Sequence, residues 1–240
     1  EAVSVSSGSA STSQANTLAA ATSGVVTATL SDGDMATLAG LNETGNAYSI
    51  TITDSSVAAA ALNSLDGKTT VAINASNITT LSGAAADLNT AYASSGLSGL
   101  NNEAITLTDS SLAASVLNTL DGNTSGSINA NSINTITGTA ADLITAYASG
   151  GINGLGNEAI NVNSGNASTS QANTLSAATS AVVTATVSDG DMSTLAGLSE
   201  TGNAYTITIT DNSVAATALN TLDGKTTVAI NASNITTLSG

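Results

Sequence analysis

The sequence predicts an α/β fold: a right-handed repeat solenoid of about ten coils, each adding one parallel strand and one short helix from a unit of about 23 or 32 residues. An all-β solenoid with several strands per turn is the alternative. Three observations carry the first reading. Residues 1–83 match 158–240 without a gap, at an offset of 157, with about 70 of the 83 positions identical. Each unit opens on apolar residues at every second position, the period of a strand with one buried face. A short helix-spaced apolar pattern then follows. Strand, helix, next strand is a crossover, which makes successive strands parallel and the superhelix right-handed.

The organisation follows from the repeats. Residues 1–157 form a super-repeat and 158–240 a partial second copy, within one continuous solenoid over 1–240. A shorter echo at an offset of 55 relates VAINASNITTLSGAAADLNTAYASSGLSGLNN (71–102) to GSINANSINTITGTAADLITAYASGGINGLGN (126–157). Units therefore start near residues 1, 25, 48, 71, 103 and 126.

Within the units the elements are read in chain order. Inward strand positions are Val3/Val5, Ala28/Leu30, Ile50/Ile52, Ile105/Leu107, Ile160/Val162 and Ile207/Ile209. The polar triplets Asp54-Ser55-Ser56, Asp109-Ser110-Ser111 and Asp211-Asn212-Ser213 are expected to cap helix starts with their side-chain oxygens. Val57, Ala61, Leu62 and Leu65 are spaced for one face of a short helix. Gly67 is expected to close it in the left-handed conformation. The longer units add the Ala-rich segments 84–93 and 139–148. Ile50, Ile52, Val57, Leu62 and Leu65, with Ile105, Leu107, Leu112, Leu117 and Leu120, should be buried in register.

Composition sets limits on function. Of 240 residues 41% are hydrophobic but only 2% aromatic, and there is no Trp, Phe, Pro, Cys or His. Ala, Val, Ile and Leu suit a thin interior repeated many times rather than a single thick core. Seventeen acids against Lys68 and Lys225 give a net charge of −15, which makes nucleic acid and anionic membrane surfaces poor partners. No apolar run is long enough to span a bilayer. Without His or Cys the common general bases, thiol nucleophiles and zinc sites are missing, so the sequence reads as a non-enzyme.

Two sets of polar positions stand as candidate sites. Outward strand positions place Thr27/Thr29, Thr51/Thr53, Thr106/Thr108, Thr184/Thr186 and Thr208/Thr210 in rows about 4.7 Å apart, interrupted by Asn and Ser. Such rows resemble the faces of ice-binding solenoids. Their plainer reading is a solvated sheet face, where β-branched Thr suits a strand. The second set is acidic. SDGDM recurs at 31–35 and 188–192, offering Asp32, Asp34, Asp189 and Asp191 to calcium, the one candidate cofactor. Asp32, Asp34 and Glu43 fall at positions 1, 3 and 12 of a calcium hand, but Ala36 and Thr37 occupy positions 5 and 6, where a ligand and Gly are required. Helix capping explains the same acids. Asp54, Asp66, Asp109 and Asp121 could also align between coils to take calcium.

TDSSLAASVLNTLDGNTSG (108–126) and GTAADLITAYASGGINGLGNEAI (138–160) resemble the tandem repeats of very large secreted surface proteins of marine cyanobacteria and other aquatic bacteria. The likeness covers essentially the whole chain. It implies an extracellular, cell-surface or fibrous protein used in adhesion, motility or a coat, with cell-surface or polysaccharide contacts and no catalytic residues. The chain begins at Glu1 and stops inside a repeat at Gly240, with neither end atypical. Its expected partners are thus covalently continuing repeats or further copies of itself.

Overall fold

The computed structural model describes residues 1–240, an α/β fold of short parallel strands and nine helices. The helices are α1 (Thr12–Ala21), α2 (Met35–Leu38), α3 (Ala59–Asp66), α4 (Ala85–Ala93), α5 (Ala114–Asn123), α6 (Ala140–Ala148), α7 (Thr169–Ala178), α8 (Met192–Leu195) and α9 (Ala216–Asp223). None is long and apolar enough to cross a membrane.

Contacts group the chain into two units. The first holds Glu1–Thr108 and Thr119–Asn129; the second holds Asp109–Asn118 and Ala130–Gly240. In the first, Val3–Ser4 pairs with Val26–Thr29, and that strand with Ala47–Ser49. A second row runs from Ser56–Ala58 through Thr80–Gly83 and Ala104–Leu107 to Ile128–Asn129. In the other unit Ser111–Ala113, Thr135–Gly138, Ala159–Val162, Val183–Thr186 and Ala204–Thr206 pair in that order. Every one of these pairs is parallel. Val3 lies opposite Val26, Thr27 opposite Ala47 and Ser56 opposite Thr80, separations of 23, 20 and 24 residues. The chain thus returns to lie beside itself at nearly constant intervals.

Alternation places the core as the period-2 reading requires. Ile50, Ile52, Ile105, Leu107, Ile160, Val162, Ile207 and Ile209 are all buried, whereas Val3 and Val5 are only half-buried. All ten residues expected in register, from Ile50 to Leu120, lie in the core. The helices each contribute a few aliphatic side chains to the core: Leu62 and Leu65 from α3, Leu88 and Ala91 from α4, Leu143 and Ala146 from α6. Burying a leucine or isoleucine side chain stabilises by about 1.5–3 kcal/mol.

Four local expectations are corrected. Asp54-Ser55-Ser56 does not cap α3. Ser56 begins a strand through Ala58, and the residue preceding the helix, Ala58, supplies no side-chain cap. The Asp211 triplet behaves alike ahead of α9. Val57 therefore belongs to a strand, and Ala61 faces solvent while Ala59 is buried. Gly67 adopts φ −65°, ψ −7°, because the chain leaves α3 by tightening, with Lys68 N–H donating to Leu65 O at 2.9 Å. Nor does each unit hold a single strand. Ile73–Asn74 and Thr80–Gly83 both precede α4, so the 32-residue sequence unit overruns the 24-residue pairing interval.

One start signal explains helices that the apolar spacing alone does not mark. Ser11-Thr12-Ser13-Gln14 forms a capping box at α1. Gln14 N–H donates to Ser11 Oγ at 3.2 Å, and Ser11 N–H to Gln14 Oε1 at 2.9 Å. Ser168 and Gln171 repeat it at α7.

Candidate functional site

The SDGDM aspartates are held by helix starts. Asp34 Oδ1 accepts from Thr37 N–H at 2.9 Å, capping its own α2, and Asp191 Oδ1 accepts from Thr194 N–H at 2.9 Å on α8. Bonds to Thr37 hold the Asp34 carboxyl below its ordinary range; for Asp191 the Ser193 hydroxyl leads, then Thr194. Asp32 and Asp189 reach back one interval instead. Asp32 Oδ2 accepts from Thr12 N–H at 2.6 Å, and Asp189 Oδ2 from Thr169 N–H at 2.7 Å. Asp54 does the same for Met35 at 2.7 Å, and Asp211 for Met192 at 2.6 Å. Asp54 and Asp211 are helix caps after all, but for the helix before them. Nowhere do three acidic side chains converge as a metal-holding group.

All ten candidate threonines face outward. The pairing does not set them beside one another. Thr27 sits between Ser4 and Ala47, Thr29 opposite Ser49, and Thr51 opposite Asn74. Thr106 lies between Ser82 and Asn129, Thr184 between Asn161 and Ala204, and Thr208 opposite Asn231. Thr186 alone meets another threonine, Thr206. Backbone bonds set Thr53, Thr108 and Thr210 against Gly33, Gly83 and Gly190. The outward face is thus a mixed Ser, Asn, Ala and Thr surface.

More systematic is a hydroxyl clamp at the corner between helix and strand. Thr22, Thr69, Ser94, Thr124, Ser149, Thr179 and Thr226 each accept, through their Oγ, the N–H two residues on, at 2.9 to 3.2 Å. Several of these hydroxyls also donate to a backbone carbonyl of the previous interval. Thr69 Oγ1 donates to Tyr48 O at 2.8 Å, Thr124 Oγ1 to Glu103 O at 2.9 Å, Thr179 Oγ1 to Glu158 O at 2.7 Å and Thr226 Oγ1 to Tyr205 O at 2.7 Å. One hydroxyl therefore shapes its own corner and ties it to its neighbour. Asparagines add further ties: Asn63 Nδ2 donates to Asp87 O, Asn118 Nδ2 to Asp142 O and Asn77 Nδ2 to Ile52 O, at 2.8 to 2.9 Å. Thr124→Val, a near-isosteric change, is expected to cost about 1–3 kcal/mol, because Gly126 N–H and Glu103 O lose their partner in a buried corner. Urea unfolding measures it, and an unchanged midpoint would deny the clamp its role.

The chain buries two carboxylates that sequence reading passed over. Glu103 is 0% exposed and Glu158 1%. Glu103 accepts from Tyr92 OH at 2.9 Å and from the N–H groups of Asn101 and Asn102 at 3.2 and 3.1 Å. Glu158 accepts from Tyr147 OH and from Gly156 and Asn157 N–H at 3.0 and 3.2 Å. Two backbone donors and a phenol satisfy each charge. The signal was present in sequence as a Tyr and a Glu eleven residues apart, twice.

All four tyrosines, Tyr48, Tyr92, Tyr147 and Tyr205, titrate above the ordinary phenol range. Burial is the leading cause at each, and the carboxylates of Glu103 and Glu158 add to it at Tyr92 and Tyr147. A raised folded pKa leaves stability intact below the unfolded value of about 10 and removes it as pH climbs further. Tyrosinate absorbance should therefore stay flat past pH of about 10 and then rise together with loss of circular dichroism. Tyrosinate appearing near that pH with the dichroism intact would contradict this.

Comparison with protein-family models, curated proteins and solved structures returns no match.

Proposed function

We propose that the chain is a structural, length-building module of an extracellular fibre, surface layer or adhesin, and that its repeats stack as a right-handed solenoid of about ten coils. The observation that carries this reading is the parallel pairing at a nearly constant 20 to 24 residues, which adds the same small step of structure with each return of the chain. The clamps support it, since Thr, Asn and Asp side chains tie each interval to the next. Stiffness is then the biochemical output, and the outward Thr, Ser and Asn face is left for lateral contacts.

Concatenation tests the reading. Copies of residues 1–157 joined in series, ending in 158–240, should give a maximum dimension in small-angle scattering that grows linearly with copy number at constant cross-section. Growth of the cross-section instead would overturn it. Because the SDGDM aspartates already bind helix amides, millimolar calcium is expected to leave the melting temperature unchanged. A rise of several degrees would replace the proposal with a calcium-stiffened stalk.

A further inference from the structure

The two near-identical copies present the same face in two states. In the second copy, Ile160, Val162 and Leu175 are 1%, 7% and 0% exposed. In the first, their counterparts Val3, Val5 and Leu18 are only half-buried, and Val5, Ala10, Gln14 and Leu18 line an open groove along α1. Glu158 is buried, whereas its counterpart Glu1 is exposed. What closes the second copy's face is a segment of this chain. Thr135–Gly138 pairs in parallel with Ala159–Val162, setting Ile136 beside Ile160 and Gly138 beside Val162. Helix α6 packs on α7 with Leu143 and Ala146 fully buried, and Tyr147 donates its hydroxyl to Glu158.

The covering segment is itself repeated. TLSGAAADLNTAYASSGLSGLNN (80–102) precedes Glu103 as TITGTAADLITAYASGGINGLGN (135–157) precedes Glu158. It makes the same moves: Leu81 pairs beside Ile105, and Tyr92 donates to Glu103. One strand–helix sequence thus covers two receiving strands, AITL and AINV, and the open segment Ala2–Val5, which contains the strand Val3–Ser4, reads AVSV.

We propose that the face formed by Ala2–Val5 and α1 is a docking surface for one strand–helix segment of the chemistry of residues 135–157. Its strand pairs in parallel with Ala2–Val5, its AADL helix fills the groove over Leu18, and its tyrosine hydroxyl meets the Glu1 carboxylate. The inference rests on the stacked-repeat reading, but can fail alone. Concatenated copies could lengthen linearly while Leu18 stays open.

The chain has no cysteine, so Leu18→Cys introduces a single reporter thiol. The variant is made in the chain as it stands and in a chain with residues 135–157 fused ahead of Glu1. Thiol labelling is expected to slow at least about tenfold in the extended chain, with new hydrogen-exchange protection over Ala2–Val5. Placing the equivalent of Leu143→Asp in the added segment should restore both to the unextended values. Equal labelling and exchange in the two chains, with dichroism retained, would overturn the proposal. So would protection already present without the extension and rising with concentration, which would give the face to a second copy.

Discussion

Ile52→Asp is expected to cost at least about 4 kcal/mol, adding the loss of a well-packed aliphatic side chain to the burial of an unpaired charge. Ile52 is 0% exposed, and its N–H donates to Asn74 O at 2.9 Å, so the backbone cannot turn the new carboxylate out to water without breaking the pairing. Against a total stability of about 5–15 kcal/mol, this should shift the urea midpoint far down or abolish the transition. Thr51→Asp is the control. Its side chain is exposed one residue away, and it should move stability by no more than about 0.5 kcal/mol. Comparable effects from the two substitutions would mean that the inward and outward faces are assigned wrongly.

The second large effect is at the buried carboxylate. Glu103→Ala removes the acceptor from Tyr92 OH and from the Asn101 and Asn102 N–H groups together, in a position with no solvent to replace it. Unsatisfied buried donors cost about 1–3 kcal/mol each, and a total of about 3–5 kcal/mol is expected. Tyr92→Phe should cost less, about 1–2 kcal/mol, since the carboxylate keeps its two backbone donors. The double variant should fall short of the sum of the singles by about 1 kcal/mol, because each single change strands the other partner. Strict additivity in the urea-derived free energies would show that the two side chains act separately.

The strand faces were legible because period-2 alternation has only two solutions. Once Ile50 and Ile52 were inward, Thr51 and Thr53 had to be outward, and the same holds along Ile207 to Thr210. Parallel pairing was legible from the repeat itself. Helix starts were harder to place. Asp54-Ser55-Ser56 has the composition of a cap, and Asp54 is one, but its amide partner is Met35, nineteen residues earlier in the chain. Local sequence rules search only the next few residues, so they assign such a side chain to the wrong helix. Val57 reads equally well in a helical or an extended pattern, and pairing with Leu81 decides for the strand. Gly67 showed the reverse error. Glycine permits the left-handed conformation without requiring it. The Ser11/Gln14 capping box and the eleven-residue Tyr–Glu spacing are also written in the chain, but both are polar signals that apolar periodicity does not register.

The near-constant pairing interval also bears on how the chain reaches this structure. Parallel sheets usually form slowly, because their partners are distant in sequence and the intervening loop must be closed first. Here a strand such as Ile105 finds Leu81 on one side and Ile128 on the other, each within 24 residues. That is roughly a tenth of the chain, a relative contact order in the range of helical bundles. Once one pair of neighbours has formed, each later strand meets a finished template and closes only a short loop. The search therefore does not lengthen as copies are added: a chain of many such repeats should acquire its structure by growth from a seed, at a pace set by one interval rather than by total length.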